Sequence, residues 1–259
     1  MKILITGGAG FVGSHVAEYY AKKNEEVVVF DNLSRAQLLG YDSTNAMYNW
    51  NYLKSNYPDI ELVKGDIRDS DKVEKVAKDA EVIIHTAAQT AVTTSLEDPR
   101  TDFEVNALGT FNVLEAARCS TNKVYGDNVN NIQVKERDKR YVFELENGIP
   151  ETFPIDNCEH TPYGASKLAG NPFYVQDYAH RHEINAAVFR MSCIYGTRQF
   201  GVEDQGWVAW FTIATLLVRP ILFMEMENKL EMFCMLPLCK KVEMVCIILV
   251  VELKTPCLY

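Results

Sequence analysis

The feature that most constrains this chain is Gly7-Gly8-Ala9-Gly10-Phe11-Val12-Gly13, set directly after the apolar run Lys2–Thr6. That run reads as a strand, and helical spacing takes over from Phe11 to Lys23, so the glycines fall on a strand-to-helix turn. Residues without a Cβ let the backbone turn tightly and approach a bound group, and the free N–H groups opening the helix attract a pyrophosphate. A second strand, Val27–Asp31, ends on a carboxylate. Such a group accepts hydrogen bonds from both adenosine ribose hydroxyls and repels a 2′-phosphate. NAD is therefore expected over NADP, with Arg35 as a nearby cation pulling the other way.

Alternation continues beyond the turn. The pattern predicts strands at Ile60–Val63, Glu81–Thr86 and Ala186–Arg190, and helices at Asp69–Lys78, Asp98–Arg118 and Thr161–His182. Strands and helices in turn imply an α/β protein, a Rossmann-type doubly wound parallel sheet covered on both faces. With 259 residues, 47% of them hydrophobic, the chain can bury one large domain with a smaller lobe. A formal charge of −9 argues against nucleic acid and anionic membrane as partners and in favour of a small molecule. Met1-Lys2 runs straight into the first strand without a secretory leader, and Met244–Val251 is too short to span a bilayer, so a cytoplasmic protein is expected. Seven cysteines without paired spacing read as reduced thiols, with no disulfide frame and no metal site.

Tyr163 and Lys167 lie one helical turn apart, on one face of the helix that Thr161 can cap and Pro162 can open. A tyrosine hydroxyl becomes a useful base only if a neighbouring ammonium lowers its pKa, and Lys167 is placed to do so. By itself the spacing is common on solvated helix faces; the glycine turn gives it weight.

Together these residues resemble the extended short-chain dehydrogenase/reductase family of NAD-dependent epimerases and dehydratases. The resemblance implies a catalytic triad of Thr121, Tyr163 and Lys167, Thr121 being the hydroxyl ahead of Val124-Tyr125-Gly126. It implies cofactor contacts from Gly7, Gly10, Phe11, Val12 and Gly13, from Asp31, Asn32, Ser34 and Arg35, from Asp66 and Ile67 near the adenine, and from Ala87, Ala88 and Gln89. Asn106, in Asn106-Ala107-Leu108-Gly109-Thr110, joins them with Tyr163 and Lys167. Further stretches, Ser120–Asp127, His160–Gly164, Arg190–Phe200 and Glu203–Val208, narrow the likeness to members that invert C2 of a CDP-sugar, CDP-paratose to CDP-tyvelose, through a transient 2-keto intermediate. The implied substrate contacts are Gln89, Asn122, Arg198 and Gln199. Other nucleotide-sugar epimerases and dehydratases stay open as alternatives, although Asn122-Lys123 stand where a dehydratase usually carries Asp-Glu. Relatives often pair through the long helices, here Asp98–Arg118 and Thr161–His182, so a homo-oligomer is possible.

Two stretches depart from the family pattern. The predicted helix ending at Arg118 reaches Ser120 through Cys119 alone, which leaves no room for the strand expected before Thr121. From Arg219 onward there is no glycine, yet the tail holds four of the seven cysteines and five of the eight methionines. Relatives continue with a segment resembling Ile-Tyr-Gly-Asp-Gly-Lys-Gln-Val-Arg-Asp-Val. Codons for it, read one base on, spell Phe223-Met224-Glu225-Met226-Glu227-Asn228-Lys229-Leu230-Glu231-Met232. The expected organisation is an NAD-binding domain over 1–200 with a substrate-side insertion at 127–160, then an incomplete substrate lobe over 201–259 whose residues 220–259 are out of frame. An NAD-binding product without turnover is the competing reading.

Overall fold

The structure is a computed structural model; it describes residues 1–35, 47–116, 132, 134–137, 140–143, 150, 153–156, 158–169, 194–202 and 205–219. Its centre is a four-stranded parallel sheet of β1 (Lys2–Thr6), β2 (Glu26–Asp31), β3 (Glu61–Lys64) and β4 (Val82–His85), in the order β3-β2-β1-β4. Parallel pairing in register, Ile3 with both Val27 and Val82, brings the C-terminal ends of β1, β2 and β4 to one edge. Each crossover is occupied by helix. α1 (Phe11–Ala21) links β1 to β2, α2 (Tyr48–Asn56) precedes β3, and α3 (Ser70–Ala77) precedes β4.

These strands are apolar at successive positions because both faces are covered. Ile3, Ile5, Val27, Val29, Val82 and Ile84 pack with Val16 and Ala17 of α1 and Leu53 of α2. Leu4, Val28, Phe30 and Ile83 face the other way, onto Val73 of α3 and Val113 of a later helix. This is the expected α/β, Rossmann-type architecture, and β1 through β4 fall within a residue or two of their predicted places.

Helix α2 is absent from the sequence-based expectations, since its asparagines are poor helix formers. Burial of Leu53, worth about 2 kcal/mol, supplies what propensity lacks. α3 starts where Asp69 accepts a hydrogen bond from Lys72 N at 3.2 Å.

After β4 come α4 (Val92–Glu97), also unforeseen, and α5 (Pro99–Phe103). The expected single helix from Asp98 is interrupted. α5 runs into a π-helical turn at Glu104–Leu108 and then α6 (Gly109–Ala116). β5 (Val134–Arg137) and β6 (Arg140–Phe143) form an antiparallel pair. α7 (Pro162–Leu168) is the described part of the helix predicted from Thr161, and α8 (Trp207–Leu216) follows the 194–202 segment. Thr121, Asn122, the strand predicted at Ala186–Arg190 and the 220–259 tail lie outside the described residues. Among the described residues no helix is long and apolar enough to cross a membrane.

Candidate active site

The site lies at the sheet edge where β1, β2 and β4 end. Gly7 takes a left-handed backbone, φ 69°, and a Cβ there would stand 2.5 Å from Ala87 N as the chain leaves β4. A Cβ on Gly13 would meet Gly7 O at 2.3 Å, so the first turn of α1 packs directly on the glycine turn. Gly10 differs: its Cβ would touch only Gly7 O, at 3.0 Å, and otherwise project into open space. Gly10 is also the N-cap of α1 and offers no side chain to the helix's first amides. An uncapped helix start beside an open glycine cradle fits a dinucleotide pyrophosphate, with Phe11 and Val12 in that first turn.

Asp31 closes the cradle on the β2 side. Its Oδ2 accepts Ala9 N at 2.9 Å and its Oδ1 accepts Leu33 N at 2.8 Å. Burial pushes its carboxyl pKa up, and these two backbone donors hold it back. Asn32 donates to Asp66 Oδ2 at 2.9 Å and accepts from Ser34 N at 2.9 Å, which joins the β2 exit to the β3 exit. Asp66 is also gripped by the Arg68 guanidinium, at 3.0 and 2.8 Å, which holds its carboxyl well below the usual range. Ile67 packs on Gly109, where a Cβ would stand 2.6 Å from its Cδ1, and its carbonyl accepts Asn112 Nδ2 at 2.9 Å. Arg35 donates to Gln205 Oε1 at 3.0 Å, and Gln205 reaches Thr90 on the β4 side. Gln205 therefore spans the β2 and β4 exits, on either side of the β1 turn. Ala88 is exposed where the chain leaves β4.

On the β4 side the chemistry-bearing residues converge on α7. Thr161 Oγ1 accepts Gly164 N at 3.2 Å and Pro162 occupies the first turn, which fixes the helix start. Tyr163 and Lys167 follow on one face, with Lys167 Nζ 5.5 Å from the Tyr163 ring centre. Both are buried. Burial lowers the Lys167 ammonium to about 7, and Asp102 opposes that fall. Lys167 Nζ donates to Asn106 Oδ1 at 2.6 Å. Beneath it His85 shares hydrogen bonds with Thr6 Oγ1 at 2.6 Å and Thr110 Oγ1 at 3.2 Å. Burial, helped by the Lys167 charge, lowers His85 to about 3, so it is a neutral packing residue.

Of the four expected substrate contacts, Gln89, Arg198 and Gln199 are among the described residues, and each makes a hydrogen bond within the protein. Gln89 is buried, and its Nε2 donates to Ala91 O at 2.9 Å and Asp102 Oδ1 at 3.0 Å, so its side chain turns into the protein. Arg198, at φ 61°, donates to Glu18 Oε2 at 2.6 Å and stacks 4.2 Å over Tyr52, which anchors the 194–202 segment to α1 and α2. Gln199 Nε2 donates to Ile194 O within the same segment, at 3.2 Å. Conversely, Asp102 and Ser166 were not anticipated. Their signal was weak but present: Asp102 precedes Asn106 by one turn, and Ser166 adjoins Lys167.

The chain has relatives among known proteins. A family model described as the NAD dependent epimerase/dehydratase family matches residues 3–227. The chain is 41% identical over 224 residues to CDP-paratose 2-epimerase of Salmonella typhi, covering 82% of this chain and 62% of that one. It is 36% identical over 231 residues to a putative UDP-glucose 4-epimerase of Methanocaldococcus jannaschii, covering 85% and 65%. Among solved structures, a Thermus thermophilus UDP-glucose 4-epimerase complexed with NAD superposes with a TM-score of 0.62 at 30% identity, over 85% of this chain and 64% of that one. A Streptomyces venezuelae dTDP-glucose 4,6-dehydratase double mutant with NAD bound gives 0.64 at 26% identity, over 84% and 63%. The chain spans less than two thirds of the length of each of these four proteins.

Proposed function

The chain belongs to the NAD dependent epimerase/dehydratase family, and on that premise we propose that it holds NAD on the glycine turn and inverts C2 of a CDP-sugar, CDP-paratose to CDP-tyvelose. The observation that carries the reading is the buried Tyr163–Lys167 pair, with the ammonium 5.5 Å from the ring centre. The likeness to the Salmonella typhi CDP-paratose 2-epimerase supports the choice of sugar.

When bound, NAD supplies hydride exchange with the sugar carbon. The residues do the rest. Asp31 would hold the adenosine ribose, and the amides opening α1 would hold the pyrophosphate. Lys167 as ammonium would bind the nicotinamide ribose and favour the phenolate of Tyr163. That phenolate would take the proton from the sugar C2 hydroxyl and return it once the carbon has inverted. Thr121 would hydrogen-bond the reacting oxygen, and Asn122 would touch the sugar. Gln89 and Arg198 would also hold the site together, through Asp102 and Glu18.

We read 1–200 as the NAD-binding domain and 201–259 as the remnant of a substrate lobe. The glycine-free composition of 220–259 favours a second reading, an NAD-binding chain without turnover. The test is to purify the full chain, assay bound NAD, and offer CDP-paratose, UDP-glucose and dTDP-glucose in parallel. Inversion of CDP-paratose alone selects the epimerase; NAD retention with no product from any sugar selects the second reading.

A further inference from the structure

A lysine ammonium sealed from water tends to lose its proton, and a neutral Lys167 could not steady a phenolate on Tyr163. The structure supplies a counter-charge. Lys167 Nζ donates to Asn106 Oδ1, and Asn106 Nδ2 donates in turn to Asp102 Oδ1 at 2.9 Å. The amide can sit only one way round, because an ammonium only donates and a carboxylate only accepts. Asn106 is filled on all four sites: its Oδ1 also accepts Gln89 N at 3.0 Å, and its Nδ2 also donates to Ser166 Oγ at 3.2 Å. Asp102 is 1% exposed and is held by Gln89 Nε2 at 3.0 Å and by Ser166 Oγ at 2.6 Å. A carboxylate supplied with donors in this way is tolerated in the interior.

The π-helical turn at Glu104–Leu108 is where Asn106 sits, between α5, which carries Asp102, and α6. Turns of this kind are local departures from helical register that mark functional positions. Facing Lys167 from the packed elements are Tyr163 on its own helix, His85 at the end of β4, and Asp102 on α5. His85 is neutral, so the opposite charge acting on Lys167 comes from Asp102.

We propose that Asp102 is a positioning residue that, through the Asn106 amide, keeps Lys167 charged and fixed beside Tyr163. This rests on reading Tyr163 and Lys167 as an acid–base pair, and it adds a third element on a different helix.

The experiment titrates Lys167 itself, in the full chain labelled with 13C at lysine Cε, without sugar; the signal is assigned by its loss in Lys167→Arg. In Asp102→Asn the midpoint is expected to fall by about one pH unit or more, and in Asp102→Glu, which keeps the charge, by clearly less. An unmoved midpoint in Asp102→Asn, with the fold intact by circular dichroism, overturns the proposal. Should Asp102→Asn not fold, the unaltered protein decides: the Asp102 carboxyl carbon must shift through the Lys167 midpoint, and a flat signal overturns the coupling. Because no sugar is present, failure to invert C2 leaves this result standing, and an uncoupled Lys167 leaves the epimerase reading standing.

Discussion

Ala9 N donates to Asp31 Oδ2 at 2.9 Å, so the glycine turn after β1 and the end of β2 are held together by the carboxylate assigned to the ribose. On the proposed reading one group both builds the site and would hold its ligand. Asp31→Asn leaves a single amide oxygen for two backbone donors, Ala9 N and Leu33 N. Thermal unfolding should show a loss of about 1–3 kcal/mol. Titration should show NAD binding weakened about tenfold, in line with the loss of a charge-assisted hydrogen bond, and the preference over NADP narrowed.

Gly10 and Gly13 separate fold from cofactor. Gly13→Ala drives a Cβ into backbone at 2.3 Å, so it should destabilise the chain by about 1–3 kcal/mol as well as abolish binding. Gly10→Ala has an ordinary backbone, φ −70°, and one tight contact. Its melting temperature should stay near that of the parent while NAD binding is lost, because the new methyl occupies the cradle. Parent-like NAD affinity in Gly10→Ala would place the pyrophosphate elsewhere.

Lys167 makes stability depend on pH in a definite direction. Its folded-state pKa of about 7 lies below the unfolded value of about 10.4, so the unfolded chain binds more protons between the two. Stability therefore rises with pH across that window and levels off above it. The slope from this group is at most about 1.4 kcal/mol per pH unit. Denaturant unfolding of the parent and of Lys167→Met at pH 7, 8 and 9 checks this: the variant should lose the rise.

The out-of-frame reading of 220–259 predicts an inserted or deleted base in the gene near the codons for Val218–Leu222. Resequencing, with restoration of the frame, should return a glycine-containing segment. A single intact frame shared by close relatives contradicts it.

What the sequence disclosed and what it withheld follow physical lines. β1, β2 and β4 were legible because each is an unbroken apolar run, as strands buried on both faces must be. The glycine turn and Asp31 were legible because their chemistry demands particular residue types at a fixed place on a strand-helix unit. α2 was hidden because Leu53 forms it through packing that no local pattern reports. The π-helical turn was hidden because the sequence marks Asn106 only as an expected cofactor contact, and its meeting with Lys167, from a distant part of the chain, shows in no local pattern. Gln89 and Arg198 carry internal contacts that no local pattern reports. Polar side chains beside a site look like ligand contacts, yet a buried polar side chain also seeks partners inside the protein: Asp102 accepts from Gln89 Nε2, and Glu18 accepts from one terminal nitrogen of Arg198.

The central claim, that Tyr163 acts as acid and base on a nucleotide sugar beside Lys167, is tested most directly by following C2 of CDP-paratose by NMR with the parent chain and with Tyr163→Phe, both loaded with NAD. The parent is expected to invert C2 with no net consumption of NAD. The variant should bind NAD as the parent does and turn over at least about a hundredfold more slowly. Inversion at the parent rate by Tyr163→Phe, or none by a folded, NAD-loaded parent chain, would contradict the claim.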